Sequence, residues 1–149
     1  MGRPTNTGRR AALRTLALAG VTASAGASSA AKPGECAAYQ VDDLSRALDA
    51  LRHASNHLDA SPGTQLVIVA LSGAVDFLIE GTPAPHGNSY AALVDTLQFR
   101  GVRFRACNNT LKARSIARSK LLPDVEVVES GIAELVRLQV RERYAYIKV

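Results

Sequence analysis

The sequence has no tryptophan, one methionine and an aromatic share of only 5%. Its core must therefore be filled by Ala, Val, Leu and Ile. Two cysteines, Cys36 and Cys107, are too few for a disulfide-built mini-fold or a four-thiolate zinc site. No Gly-x-Ser-x-Gly, phosphate loop or Cys-x-x-Cys occurs, so the motifs call for no cofactor and no metal. The weakly apolar stretch from Thr15 to Ala31 is too broken by Gly, Ser and Thr to span a bilayer. What is present, 149 residues of which 47% are hydrophobic, fits one domain.

The formal net charge of +5 suggests nucleic acid until the charges are located. Residues 1–31 carry Arg3, Arg9, Arg10 and Arg14 and no acid. The remainder is nearly neutral, with 14 Lys and Arg against 13 Asp and Glu. The high pI belongs mostly to the first 31 residues and gives no general case for a nucleic-acid partner. Those residues run from a basic head (Gly8 to Arg14) through an apolar middle to a small-residue end. That order is the export-signal pattern, and Arg9-Arg10 with Leu13 and Arg14 fits the twin-arginine register. Cleavage near Ala30 or Ala31 is expected to leave a mature domain, residues 32–149, in the periplasm or otherwise exported.

Strand and helix patterns alternate through the mature chain. Cys36–Val41 reads as a strand, and Asp42 or Asp43 caps a helix with Leu44, Leu48, Leu51 and Leu58 as its stripe. Gln65–Leu71 is apolar without alternation, the mark of a strand covered on both faces. A short helix is predicted over 74–79 and a loop over 81–87. A helix follows from Asn88 or Ser89 to the cap at Gly101. Val102–Ala106 forms the next strand, leading into a helix to about Ser119. Val125–Val128 is the fourth strand. Ser130 caps a helix bearing Ile132, Leu135, Val136 and Gln139, and 144–149 is the fifth strand. This order predicts a three-layer α/β/α fold around a mainly parallel five-stranded sheet.

In such a sheet, reactive groups gather beyond the carboxyl ends of the strands. Cys107 stands at one of those ends and at the mouth of a helix, where unpaired N–H groups favour a thiolate. Arg100, Arg103, Arg105, Lys112, Arg114, Arg118 and Lys120 surround it in sequence with no acid among them. Arg105 shares the strand parity of Cys107 and is placed to hold an anion. Asn108, Asn109 and Thr110 offer amides to a developing negative charge. His86, in the loop before the second long helix, is the candidate base. His53 and His57 are four apart on a helix, but they lie on its polar side without a third ligand. Parallel strands would put Cys36 and Cys107 at opposite edges of the sheet, roughly 16 Å apart, which predicts two free thiols. Two Arg on one face of the 102–106 strand conflict with full burial. They imply a face open to solvent or to a neighbouring subunit, or a pocket.

The run Gly101-Val-Arg-Phe-Arg-Ala-Cys-Asn-Asn-Thr-Leu-Lys-Ala-Arg114, then Leu122-Pro123, Ser130-Gly131 and Tyr144-Ala-Tyr-Ile-Lys148, resembles the DsrE/DsrF-like family of sulfur-handling proteins. The resemblance implies an α/β/α fold that assembles into trimers or hexamers. It also implies that the cysteine matching Cys107 carries sulfane sulfur as a persulfide. The expected partners are a sulfur donor, a sulfur acceptor and further copies of the chain. The alternative is a non-catalytic binding or assembly module of the same fold, docking an anionic partner through its basic strip. The strip lacks interleaved aromatics beyond Phe99 and Phe104, which argues against single-stranded nucleic acid.

Overall fold

The structure, a computed structural model, describes residues 34–149 together with Gly2; the rest of the expected export signal lies outside the described residues. Five strands form one sheet: β1 (Cys36–Val41), β2 (Gln65–Ala70), β3 (Arg103–Cys107), β4 (Glu126–Val128) and β5 (Ala145–Lys148). Their order is β4-β3-β2-β1-β5, and every pairing is parallel. β2 lies at the centre and is buried on both faces, from Leu66 to Ala70, as its unbroken apolar run requires.

Side-chain alternation divides the core in two. One face carries Ala37, Tyr39, Val41, Leu66, Ile68, Ala70, Phe104 and Ala106. Against it pack α1 (Ala47–Ala60) and α2 (Tyr90–Phe99), together with a 3-10 segment, Ser72–Leu78, that supplies Phe77. Phe77 meets Phe104 edge-on at 6.3 Å between ring centroids. The other face carries Ala38, Val67, Val69, Leu71 and Cys107 under α4 (Gly131–Glu142), which contributes Leu135 and Leu138. Helices therefore cover both sides of the sheet. Among the described residues no helix is long and apolar enough to cross a membrane.

Several local expectations meet their physical reasons here. Asp43, the second of the two candidate caps, accepts the Ser45 N–H at 2.7 Å and starts a 3-10 turn that runs into α1. The helix after β3, α3 (Asn108–Ala113), stops six residues short of the expected end. Ser115 turns left-handed at φ 52, and the Ile116 N–H folds back to the Leu111 carbonyl. On α4 the buried stripe is Gly131, Glu134, Leu135 and Leu138 rather than Ile132, Leu135, Val136 and Gln139. Ile132, Val136 and Val140 face outward, four residues apart.

Candidate functional site

The two edge-ward strands β3 and β4 end side by side, with Cys107 opposite Val128. Each hands over to a helix within three residues: Cys107 is the N-cap position of α3, and Ser130 is the N-cap of α4. Helix starts leave four N–H groups without intrahelical acceptors. In α4, Ser130 Oγ accepts the Ala133 N–H at 3.3 Å. The Gly131 N–H is taken by the Cys107 sulfur, at 3.2 Å. The thiol thus sits where two helix N-termini converge.

The thiol's acidity follows from this placement. Burial alone would push Cys107 up, since the residue is only 7% exposed. Against it stand the Gly131 N–H, the Thr110 N–H and hydroxyl, and the Asn109 N–H. These donors prevail, and Cys107 lies below the ordinary cysteine value. The Thr110 hydroxyl oxygen also accepts the Ser72 N–H at 3.0 Å. Ser72 itself is left-handed, at φ 53. The turn after β2 is thereby tied to the first turn of α3.

The sequence pointed both to helix-start N–H groups and to surrounding cations as causes of an acidic thiol; the structure supplies the backbone donors and not the cations. The cations of residues 100–120 are largely taken by acids from other parts of the chain. Arg100 pairs with Asp59, Lys112 with Glu129 and Arg114 with Asp76. Arg103 donates to the Tyr144 hydroxyl at 2.7 Å. Arg105 does share the sheet face of Cys107, but it is 6% exposed and held by two carboxylates. Its Nε donates to Glu126 at 2.7 Å, and its Nη1 donates to Glu134 of α4. This resolves the puzzle of two Arg on one face of β3. That face is covered by α4, and the guanidinium groups are satisfied by Glu126, Glu134 and Tyr144.

The asparagines divide. Asn108 is buried; its side-chain amide donates to Glu129 Oε2 at 2.9 Å, and its carbonyl accepts from Arg118 at 3.0 Å. It fastens α3 to the loop between β4 and α4 and does not face an open site. Asn109 is exposed; its N–H opposes the burial of the thiol and also reaches the Glu129 carbonyl at 3.3 Å. Lys112 and Asn108 hold the Glu129 carboxyl below its usual range. His86 lies exposed and left-handed (φ 61) in the turn between Ala84 and α2. That turn joins the opposite core from the thiol, and no hydrogen bond links His86 with Cys107.

His57 stacks on Tyr39, whose hydroxyl lies 2.9 Å from Nδ1. Among the described residues no group of His, Cys, Asp and Glu is arranged to hold a metal. Cys36 and Cys107 are both free thiols. They occupy opposite ends of their strands, with β2 between β1 and β3. The residue that the sequence pattern did not single out for the site is Gly131. Its signal was present: a glycine in the first turn of a helix already capped by Ser130 has no conformational reason to be there, and points to a close approach.

Comparison with known proteins places this geometry. No curated protein matches the chain. Among solved structures, the chain is similar to MTH1491 from Methanobacterium thermoautotrophicum, described as a protein of unknown function. Identity is 32%, with a TM-score of 0.70 over 77% of this chain and 99% of that one. The YchN protein of E. coli shares the fold at 16% identity and a TM-score of 0.64, covering 78% of this chain and 99% of that one. The model of the DsrE/DsrF-like family matches residues 27–149. That span contains the whole sheet and the cysteine where β3 meets α3, and the chain belongs to the DsrE/DsrF-like family.

Proposed function

We propose that this protein is an exported sulfur carrier or sulfurtransferase that takes up sulfane sulfur on Cys107 as a persulfide and passes it on. The observation that carries the reading is the Gly131 N–H donated to the Cys107 sulfur at 3.2 Å, at the start of α3, where that bond together with Thr110 and Asn109 outweighs burial and holds the thiol below the ordinary cysteine value. Those groups stabilise a thiolate, which is the nucleophilic form of cysteine. Membership of the DsrE/DsrF-like family, for which the sequence resemblance implies a sulfur-carrying cysteine at the position of Cys107, supports it further. The docking alternative loses its motive, because most of the basic strip is neutralised within the fold.

The chemistry balances without a cofactor. The Cys107 thiolate attacks the outer sulfur of a sulfane donor such as thiosulfate. A new S–S bond forms at Cys107, the donor's S–S bond breaks, and its electron pair leaves with sulfite. An acceptor thiolate then attacks the outer sulfur of the persulfide and releases the Cys107 thiolate. The test is to incubate the purified protein with thiosulfate or polysulfide and read the Cys107 peptide by mass spectrometry. A mass gain of one sulfur atom there is expected; its absence with every donor class ends the reading.

Export is supported by the basic-apolar-small order of residues 1–31. Deleting residues 1–31 is expected to retain the protein in the cytoplasm, and continued export of the truncated chain would refute the signal. Self-assembly is supported by the exposed apolar row Ile132, Val136 and Val140 along α4. Sedimentation is expected to show a trimer or hexamer, and Val136→Glu with Val140→Glu is expected to give monomers. A wild-type monomer at micromolar concentration would remove this part of the proposal.

A further inference from the structure

We propose that Gly131 is the positioning residue of the Cys107 site: the lack of a side chain lets the start of α4 close onto the sheet until its first N–H reaches the thiol sulfur. The geometry is specific. A Cβ built at Gly131 would lie 3.0 Å from Leu71 Cδ2, 3.3 Å from Cys107 Cβ and 3.4 Å from Val69 Cγ1. All three neighbours belong to the sheet face that α4 covers. Gly131 has helical backbone and is not among the left-handed glycines, so no turn requires glycine there. Glycine is among the poorest residues for a helix, and α4 carries it without conformational return. The return is the 3.2 Å approach of its N–H to Cys107 Sγ.

Two further contacts hold α4 in that place. Glu134, one turn on, is joined to Arg105 of β3, two residues before the cysteine. Glu129, just before the helix, is joined to Asn108, the residue after it. The start of α4 is thus fastened to β3 and α3 on either side of Cys107. Gly131 is the contact that sets how deeply it sits. A side chain there pushes α4 outward unless Leu71 gives way, and the outward movement lengthens the N–H to sulfur contact.

This inference deepens the sulfur reading but is tested on the thiol itself. The rate of alkylation of Cys107 is followed against pH in a Cys36→Ala background, using the full chain and iodoacetamide. For Gly131→Ala the midpoint is expected to rise, slowing alkylation on the acidic limb by about three- to tenfold. Gly131→Val is expected to shift it further. Melting of the Ala variant is expected to change little, because alanine favours the helix that the contact disfavours. Adding Leu71→Ala removes the nearest obstacle and is expected to return the midpoint toward that of the parent. An unchanged midpoint in a folded Gly131→Ala variant, whatever its melting temperature, would overturn the proposal. A parent thiol that is acidic yet never takes up sulfur would defeat the carrier reading and leave the role of Gly131 standing.

Discussion

Glu134→Leu is expected to destabilise the protein by about 3 kcal/mol, near the lower end of the range for removing one partner of a buried ion pair. Arg105 is 6% exposed, and its guanidinium is shared between Glu134 and the half-exposed Glu126. Loss of Glu134 leaves a buried cation held from one side only. The reverse substitution is milder. In Arg105→Leu, Glu134 keeps Arg137, which donates to it at 2.6 and 2.8 Å from the solvent side. A cost of about 1–2 kcal/mol is expected there. The double variant, with two leucines facing each other under α4, is expected to recover to within about 1 kcal/mol of wild type. Urea midpoints measure all three. A Glu134→Leu variant as stable as wild type would show that the pair is not a fastening.

The pair also carries a pH signature. The Arg137 hydrogen bonds, opposed by burial and aided by Arg105, hold the Glu134 carboxyl below its usual value. The stability it contributes is present above the unfolded glutamate value and is lost as pH falls through the lower folded one. The gap between wild type and Glu134→Leu should therefore narrow on acidification. Thiosulfate loading separates this structural role from donor binding. If Arg105 held the anionic donor, Arg105→Leu would lose thiosulfate selectively while retaining a neutral trisulfide donor. With both its carboxylates in place, equal loss or equal retention is expected.

How much of this was legible in the sequence depends on whether partners lie close along the chain. The strands were legible because β2 is apolar without a break and β3 alternates. The position of Cys107 was legible for the same reason: a strand ends and a helix begins at that residue. The surroundings were not. The absence of acids between Asp95 and Asp124 suggested a cationic site, but parallel strands bring Glu126, Glu129 and Glu134 alongside β3 and α3. α4 shows the same limit. Its apolar positions form two overlapping stripes, one through Leu135 and Leu138, the other through Ile132, Val136 and Val140. Hydrophobicity alone cannot choose between them. The first is buried because Gly131 permits the approach and Glu134 meets Arg105, contacts that only the fold reveals.

Cys107→Ser is expected to abolish sulfur loading completely, while Cys36→Ala retains it. Serine is the informative replacement because its hydroxyl oxygen can accept the Gly131 N–H that cysteine accepts at 3.2 Å. Alanine would leave that buried donor without an acceptor and mix a folding cost into the result. Cys36 provides the contrast. It opens β1, at the opposite end of its strand from Cys107 on β3, and its thiol donates to the Gly34 carbonyl at 3.4 Å. Loading of wild type should rise with pH as the Cys107 thiolate forms, with its midpoint below the ordinary cysteine value. The same thiolate should add to stability. A folded-state value below the unfolded one gives a contribution that is complete above the unfolded value and is lost as pH falls through the folded value. The stability of wild type relative to Cys107→Ser is therefore expected to increase as the solution is made alkaline. Sulfur on Cys36 in the serine variant would show that loading does not depend on Cys107, and no alkaline gain in stability would mean that the donors around Cys107 do not hold a thiolate. A buried thiol lacking that charge has no reason to react before a free cysteine in solution.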